Sequence, residues 1–247
     1  MNNPYFLNII VPAYNEELNI SQTIKTIREI QDRVKIPHKL IVVNDNSTDR
    51  TEHIVRKLQE ENDDIVLINR RGNHGLGRCI NRGYEEVESG VIVVVMADLA
   101  DDVSAIPAML EKIKEGYDLV SASRYIPGGE GEHRDRLKHF LSRLLGWSLK
   151  LLVGLPTNDA TNAYKMYRAE ILDRVGILRS DNYTTGLELT VKAHLAGFRI
   201  AEVPTVWQDR AEGKSHFKLC KVGPEYCRWF IWAVWKRIRS GRPGKRR

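Results

Sequence analysis

Cysteines and long hydrophobic runs are both scarce in this chain of 247 residues. The three cysteines, Cys79, Cys220 and Cys227, form no C-x-x-C pair and are odd in number. This argues against a disulfide framework and favours free thiols in a reducing compartment. The longest apolar runs, 91–97 and 229–235, have seven residues each, whereas a membrane-spanning helix needs about 20. We therefore expect a protein that lies on a membrane at most and does not cross one.

A secretory signal peptide is also missing from the N-terminus. The polar start, MNNPYFLN, leads directly into the first predicted strand. We therefore expect the protein to be made in the cytosol and to stay there.

Basic residues are concentrated at one end of the chain. The formal net charge is +6, but residues 236–247 hold seven Lys or Arg and no acid, and without them the body is near −1. A basic tail on a near-neutral body argues for a localised anionic contact and against a basic groove along the whole fold. We expect no nucleic-acid partner, with a nonspecific contact of the tail as the alternative.

Short apolar strands alternate with helical patterns over the first half of the chain. The pattern predicts strands at 7–11, 40–43, 65–68, 91–96 and 119–123, with helices at 20–33, 51–61, 76–87 and 103–116. This βαβ alternation is typical of an α/β fold with a mostly parallel, Rossmann-like sheet flanked by helices. After Ser123 the rhythm breaks at Pro127, Gly128 and Gly129, so the second half is predicted to supply the surface for another substrate.

The stretch VIVVVMADLADD, residues 91–102, organises the prediction of function. Its valine-rich start predicts a strand buried on both faces, and the carboxylates Asp98, Asp101 and Asp102 follow where that strand ends. Ligands bind at the carboxyl ends of strands in open α/β sheets, and crowded carboxylates suit Mg²⁺ or Mn²⁺ with a substrate diphosphate. The alternative is that Asp101 and Asp102 merely open the next helix, and we accept this for one of the two.

Two other strand ends carry polar and aromatic residues. The first strand ends in VPAYNEE, where Pro12 stops the ladder and Tyr14 and Glu16 follow; the second ends in VVNDNSTDRT, with Asp45 at its tip. An aromatic face with hydrogen-bonding groups suits a nucleoside. Residues 47–49 have an equally good explanation as a turn and helix cap.

In order and spacing, seven motifs resemble those of inverting GT-A glycosyltransferases of family 2, most closely the dolichyl-phosphate mannose synthase group of polyprenyl-phosphate glycosyltransferases. The resemblance covers roughly residues 6–220. The motifs are VPAYNE, NDNSTD, GLG, MADLADD, SRYIPGG, DATNAYK and QDRAEGKS.

The resemblance implies a donor site for a GDP- or UDP-sugar. Asp98 matches the last Asp of the D-x-D metal motif, Met96 replaces the first, and Asp101 is the candidate for the missing metal ligand. Arg210 matches the arginine that clamps the diphosphate, and Lys218 takes the role of a family lysine. The residues matched to nucleoside binding are Pro12, Tyr14, Glu16 and Asp45.

The resemblance also implies an acceptor site. Arg124 matches an arginine that meets the acceptor phosphate, with Lys138 and Ser142 in matching positions, and Asp159 matches an acidic residue at the reacting centre. A lipid phosphate carries about −1.5 to −2 charge, so it needs positioning by cations more than a strong base. A sugar hydroxyl would need a general base, and Asp159 would have to serve. The alternative for Arg124 is an ion pair with a neighbour such as Glu130.

Residues 134–153 form a basic amphipathic stretch with leucines on one helical face. It predicts either a core helix or a membrane-facing one, and Trp147 among the leucines favours the membrane. A second such segment begins at Pro224, which suits the first turn of a helix, and carries aromatics into the basic tail. Aromatics beside Lys and Arg suit anionic membrane surfaces. We therefore predict one GT-A domain, 1–220, followed by an amphipathic helix and tail, 221–247.

Together these features predict transfer of mannose or another hexose from a nucleotide-sugar to a polyprenyl or dolichyl phosphate, with inversion. The enzyme would be peripheral on the cytosolic face of a membrane, anchored by lipid contact or by a small membrane subunit. Two alternatives stay open. One is a family 2 transferase that acts on a glycan hydroxyl, and the other is a non-catalytic binding module for membranes or nucleic acid.

Overall fold

The computed structural model describes residues 3–131, 136–208 and 219–240. A seven-strand sheet lies at the centre, in the order β3-β2-β1-β4-β7-β5-β8, and two short strands form a separate pair. The sheet strands are β1 (Leu7–Ala13), β2 (His38–Asn44), β3 (Ile65–Asn69), β4 (Val91–Val94), β5 (Leu119–Ser123), β7 (Lys165–Arg168) and β8 (Ile200–Pro204). The pair is β6 (Glu130–Gly131) with β9 (Val206–Trp207).

Helices cover both faces of this sheet. They are α1 (Ile20–Val34), α2 (Thr51–Glu60), α3 (Leu76–Tyr84), α4 (Ile106–Lys114), α5 (Arg136–Val153), α6 (Ile171–Val175), α7 (Thr185–Leu195) and α8 (Leu219–Ser240). Alternate residues of each strand enter opposite layers: Ile9 packs with α1, α2 and α4, and Ile10 packs with α3 and α5–α8. The predicted α/β sheet is confirmed.

Most of the sheet is parallel, with one antiparallel strand inserted. β1 pairs in parallel with β2 and β4, and β5 with β8. β7 runs antiparallel to both β4 and β5, so β4 and β5 point the same way although they do not touch. Their carboxyl ends therefore reach the same edge of the sheet, which brings Asp98 and Arg124 to that edge.

Several element boundaries differ from the prediction. β4 stops at Val94, because the next turn is held by a hydrogen bond from Met96 N to Asp101 Oδ2 of 3.0 Å. The helix after it opens with a 3-10 turn, Val103–Ala105. The Asp102 side chain caps this turn, because its Oδ1 accepts a hydrogen bond from Ser104 N at 3.0 Å. This confirms the capping explanation for Asp102.

The C-terminal helix also begins earlier than predicted. Pro224 lies inside α8 and not in its first turn, because the helix starts at Leu219. The helix packs against α5 and α7, and it buries Val222, Trp229 and Ala233 in the core. One face of α8 is thus part of the domain's packing.

A row of large apolar side chains on α5 faces away from the core. Leu149 and Val153 are buried, whereas Trp147 is 62% and Leu151 67% exposed. The other exposed members are Leu137, Phe140, Leu141, Leu144 and Leu152. Burying apolar area stabilises a protein, so such a row marks an interaction surface. Over the described residues, no helix combines the length and the apolar character that a membrane span requires.

Candidate active site

The tips of β1 and β2 form a corner in which Tyr14, Asp45 and His74 meet. The ring centroids of Tyr14 and His74 are 4.2 Å apart, and His74 Nδ1 lies 2.8 Å from the Asp45 carbonyl oxygen. The buried Asp45 carboxylate accepts from Arg70 Nε at 2.7 Å and from Gly75 N at 2.8 Å. A carboxylate has about four lone-pair sites, so capacity remains for a ligand hydroxyl at this corner.

The turns beside this corner are held by side-chain hydrogen bonds to the backbone. Asn15 N donates to Ser47 Oγ at 3.0 Å, and Thr48 N donates to Asn15 Oδ1 at 2.8 Å. Asp49 accepts from Glu17 N at 3.1 Å and from Thr51 Oγ1 at 2.6 Å. Burial opposes the charge of Asp49, but these bonds outweigh it and lower the pKa of this carboxyl. These contacts make residues 47–49 a structural turn, whereas the N-cap position of α2 is Arg50, which makes no side-chain capping bond.

Glu16 and Pro12 also lie at this edge. The buried Glu16 accepts from Asn19 Nδ2 at 3.0 Å, and its backbone N–H donates to Thr51 Oγ1 at 2.9 Å. Pro12 does not stop the strand as predicted, because β1 continues to Ala13 and Pro12 is paired in register with Val43 of β2. Both residues thus line the carboxyl edge on which the prediction placed them.

The loop after β4 brings two carboxylates together. Asp98 is nearly buried, and its Oδ1 accepts from Ala100 N at 3.2 Å. Asp101 turns back onto Met96 N, so its carboxylate lies beside the position at which the metal motif has its first Asp. Burial raises the pKa of Asp101 to about 7; the Met96 hydrogen bond opposes this, and the Asp98 charge adds to it. The negative charge of each carboxylate disfavours ionisation of the other unless a cation offsets it.

The side chains of this loop can be compared with the ligands that a divalent ion requires. Within the described ranges, no cluster of three or more His, Cys, Asp or Glu side chains could hold a metal. Mg²⁺ is usually bound by one or two carboxylates plus waters and substrate phosphates, so Asp98 with Asp101 suffices. The thioether of Met96 is too soft for such an ion. The residues present therefore fit a divalent ion that is shared with a diphosphate.

A buried ion pair joins the end of β5 to the 157–162 segment. Arg124 donates from Nε to Asp159 Oδ2 at 2.7 Å and from Nη2 to Oδ1 at 2.9 Å. Arg124 thus forms an ion pair with an acidic residue, as the alternative held, but its partner is Asp159 and not Glu130. Burial opposes the charge of Asp159, but Arg124 more than compensates and lowers its pKa. Nη1 of Arg124 makes no hydrogen bond to any described residue, and it remains able to donate.

Two residues that the sequence did not single out hold Asp159 in place. Lys165, fully buried on β7, donates to Ser121 Oγ at 2.8 Å and to the Asp159 carbonyl oxygen at 3.3 Å. Glu202 on β8 accepts from Asn158 N at 2.7 Å and from Asp159 N at 3.2 Å. Burial lowers the pKa of Lys165 to about 8, against the pull of Asp159 and Glu202. Lys165 ends the DATNAYK motif, although no role was assigned to it, and the signal for Glu202 was a charged residue in a short apolar segment.

Helix α5 reaches the same pair from the other side. Ser142 Oγ lies 2.7 Å from Thr161 Oγ1, and Thr161 Oγ1 donates to Asp159 Oδ1 at 3.4 Å. Lys138 lies one helical turn before Ser142 and is half-buried. The Tyr125 ring has the Arg124 guanidinium 5.1 Å from its centroid. The predicted acceptor residues Arg124, Lys138 and Ser142 thus share one neighbourhood.

Backbone strain concentrates at this edge of the sheet. Asn15, Asn46 and Leu99 have φ values of 54°, 58° and 61°, a region that costs energy for non-glycine residues. Strain of this kind clusters at functional sites. Arg210 and Lys218, the predicted diphosphate contacts, lie outside the described residues.

Similarity to known protein families shows which family this chain belongs to. A model described as "Glycosyl transferase family 2" matches residues 8–176. The chain belongs to glycosyl transferase family 2. The resemblance predicted from its motifs is confirmed.

Relatives of this family 2 chain include three curated proteins. The "uncharacterized glycosyltransferase YkcC" of Bacillus subtilis is 31% identical over 87% of this chain and 64% of its own length. "Dolichol-phosphate mannosyltransferase" of Pyrococcus furiosus is 28% identical over 86% and 59%. "Polyprenol monophosphomannose synthase" of Mycolicibacterium smegmatis is 26% identical over 95% and 89%. The chain thus spans less than two thirds of the first two relatives.

Solved structures establish the fold of this family 2 chain. Glucosyl-3-phosphoglycerate synthase from Mycobacterium tuberculosis, crystallised with Mn²⁺ and UDP-glucose, superposes with a TM-score of 0.68 over 98% of this chain and 81% of that one, at 19% identity. The fold is therefore GT-A, as predicted.

Proposed function

We propose that this chain transfers a hexose from a nucleotide-sugar to a polyprenyl phosphate, with inversion, at a membrane surface. Two relatives are named for mannose transfer to dolichol phosphate or polyprenol phosphate. They support this acceptor class and favour mannose among the hexoses.

The observation that carries the proposal is the state of Asp159. Its two carboxylate oxygens together accept five hydrogen bonds, from N, Nε and Nη2 of Arg124, from Thr161 Oγ1 and from Asn162 N, which fills its lone-pair sites. Its pKa is also lowered. A general base should have a pKa near the working pH and a free oxygen to take the proton, and Asp159 has neither. A glycan hydroxyl would need such a base, whereas an ionised phosphate does not. The site therefore favours the phosphate acceptor.

Arg124 and α5 supply what that acceptor needs. Nη1 of Arg124, which donates to none of the described residues, is available to a phosphate oxygen, and the pair with Asp159 fixes the guanidinium plane. Ser142 ties α5 to the segment that carries Asp159. Because the far side of α5 is apolar and exposed, a lipid tail can run along this helix while its phosphate stays beside Arg124.

Asp98 and Asp101 would hold Mg²⁺ or Mn²⁺, which neutralises charge on the departing diphosphate when bound. Arg210 and Lys218 are the proposed further contacts to that diphosphate. In the proposed step a phosphate oxygen bonds to the anomeric carbon while the bond from that carbon to the nucleoside diphosphate oxygen breaks. The two groups lie on opposite sides of the sugar, so the configuration inverts.

Location and partners follow from the same features. We place the protein on the cytosolic face of a membrane, where the exposed row on α5 would contact lipid. A small membrane subunit stays a prediction.

The test is turnover of GDP-mannose, with UDP-glucose as the comparison, by the full chain with detergent-dispersed polyprenyl phosphate and Mg²⁺ or Mn²⁺. We expect a glycosylated lipid phosphate whose formation stops with a chelator and resumes with added metal. Transfer to a glycan with polyprenyl phosphate ignored would favour the hydroxyl acceptor. Absence of turnover with every donor and acceptor would leave only a binding module.

A further inference from the structure

A groove separates α8 from the segment that joins α6 to α7. It encloses about 390 Å³. The lining residues that matter below are Ile177, Arg179, Lys192, Trp229, Trp232 and Lys236. None of them belongs to the Arg124–Asp159 pair or to the nucleoside corner, so the groove is a separate feature of the surface.

The walls of this groove are fixed by buried contacts. Lys192, only 12% exposed, pairs with the fully buried Glu188 at 2.5 Å, which also accepts from Arg179 N and Ser180 N at 2.8 Å each. Trp229 Nε1 donates to Ser180 Oγ at 2.8 Å. Because these groups satisfy one another, the Trp229 and Lys192 side chains hold their positions without a ligand.

Two cations at the groove are not neutralised. Arg179 is exposed, and across the described part of the chain neither its guanidinium nor the Lys236 ammonium forms an ion pair with a carboxylate. Lys236 lies 5.9 Å from the ring centroid of Trp232. Lys192, by contrast, is matched by Glu188. The groove therefore carries a net positive charge of about two, which complements an anion such as a phosphate diester or monoester.

An apolar stripe adjoins the groove. Ile231, Trp235 and Ile238 of α8 are 64%, 47% and 75% exposed, and their helical spacing puts them on one stripe. Trp232 and Lys236 lie on the neighbouring stripe, which faces the groove. Across the groove, Ile177 is 71% exposed. Cations beside exposed apolar and tryptophan side chains are typical of proteins that contact the headgroup level of a bilayer. A free phosphate has no apolar part that could bind the apolar stripe.

The geometry points to a docking site for the headgroup of an anionic phospholipid in this groove. Arg179 and Lys236 contact the lipid phosphate, while Ile177 and the α8 stripe enter the acyl layer. The site would orient the protein so that α5 meets the same bilayer. It rests on the proposed function only in that the acceptor would lie in that bilayer.

The experiment measures binding of the full chain to phosphatidylcholine vesicles with and without phosphatidylglycerol. The double variant Arg179→Gln/Lys236→Gln should bind the mixed vesicles roughly 30-fold more weakly, since each cation near an anionic surface contributes about fivefold. It should bind pure phosphatidylcholine as the wild type does. The matched control is Lys25→Gln/Lys57→Gln, which removes two charges from α1 and α2 on the opposite face of the sheet. It should keep the wild-type preference.

A charge-retaining variant, Arg179→Lys/Lys236→Arg, guards against misfolding and should also keep the preference. The proposal is overturned if the wild type shows no preference for phosphatidylglycerol, or if the Gln variant behaves as the Lys25/Lys57 control does. It is also overturned if soluble glycerol 3-phosphate quenches the groove tryptophans as vesicles do, because the site would then bind free phosphate. Turnover by the wild type in detergent tests the proposed function separately. If the wild type shows no turnover but still prefers phosphatidylglycerol vesicles, the proposed function is refuted and the proposed lipid site is not.

Discussion

Single residues decide the donor chemistry, and the neighbouring carboxylates Asp98 and Asp102 provide a matched comparison. Asp98→Asn removes a charge from the proposed metal pair, whereas Asp102→Asn keeps a residue able to cap the 3-10 turn. We expect Asp98→Asn to lower kcat about 100-fold or more, because a metal supplies several kcal/mol of charge stabilisation. Asp102→Asn should stay near wild type. Turnover at increasing Mn²⁺ measures both, and a wild-type response in Asp98→Asn would mean that Asp98 is not a metal ligand and that Asp101 holds the ion without it.

The acceptor side depends on the two-pronged contact between Arg124 and Asp159. Arg124→Lys keeps the charge but loses the fork, so we expect kcat/KM for polyprenyl phosphate to fall by the equivalent of about 1.5–3 kcal/mol. Binding of the nucleotide-sugar should be unchanged. The control is Arg143→Lys, whose guanidinium lies on the same Tyr125 ring, 5.8 Å from its centroid, without a carboxylate partner in the described chain. Loss of donor binding with normal acceptor use would mean that the two half-sites are wrongly assigned.

The buried Lys165 predicts a dependence of stability on pH. Its folded-state pKa of about 8 lies below the ordinary value of 10.5, so the folded protein disfavours the ammonium form. Below about pH 8 the buried charge costs stability in full. The cost is relieved as pH rises from about 8 to 10.5, since the unfolded chain then holds more protons than the folded one.

Lys165→Met removes this titration. The free energy of unfolding of the wild type, relative to Lys165→Met, should therefore rise by on the order of 3 kcal/mol across that window. Urea titrations at several pH values measure the difference. A constant difference between the two proteins would show that Lys165 is not the group responsible.

At the scale of elements, α8 has one side packed in the core and another side exposed. Trp229 is 5% exposed and Trp235 is 47% exposed. Trp229→Ala should lower the free energy of unfolding by about 3–5 kcal/mol, as expected for a large buried side chain. Trp235→Ala should cost about 1 kcal/mol or less, mainly a cation–π contact with Arg239. Denaturant unfolding of both variants checks this, and equal costs would mean that α8 is a detachable appendage.

Elements also differ in how far the sequence reveals them. The first five sheet strands were predictable because each is a short apolar run that ends in turn residues. β7 and β8 were not, because Lys165 and Glu202 interrupt their apolar pattern. Their charges are tolerated only because each binds the segment around Asp159, and that segment is distant in sequence from β8.

The candidate site, too, was predictable from the sequence only in part. The carboxylates that follow the strands predicted which edge of the sheet carries the site. The order of the sequence motifs then identified Arg124 and Asp159 as site residues. The direct bond between those two was not predictable, because it depends on how the 157–162 segment folds back over β5. Nor was the left-handed backbone at Leu99, since nothing in its residue type favours that conformation.

At the scale of the whole molecule, the candidate active site and the proposed membrane-contact surfaces both depend on elements from the second half of the chain. α5, α7 and α8 all come after Ser123. The near-neutral body and the basic tail agree with this division, because the positive charge follows the helix that carries the proposed lipid groove.

The antiparallel strand β7 has a consequence for how the protein is made. During synthesis β4 and β5 both emerge from the ribosome before β7, which must enter between them and pair Met166 with Val93 on one side and with Val120 on the other. Until then both strands have open edges, which are sites of aggregation, and such late, non-local pairing is slow. A fragment that ends at Ser123 should therefore aggregate when expressed alone. Co-expression of residues 124–247 should recover soluble protein, and a soluble, folded fragment 1–123 would contradict this order of assembly.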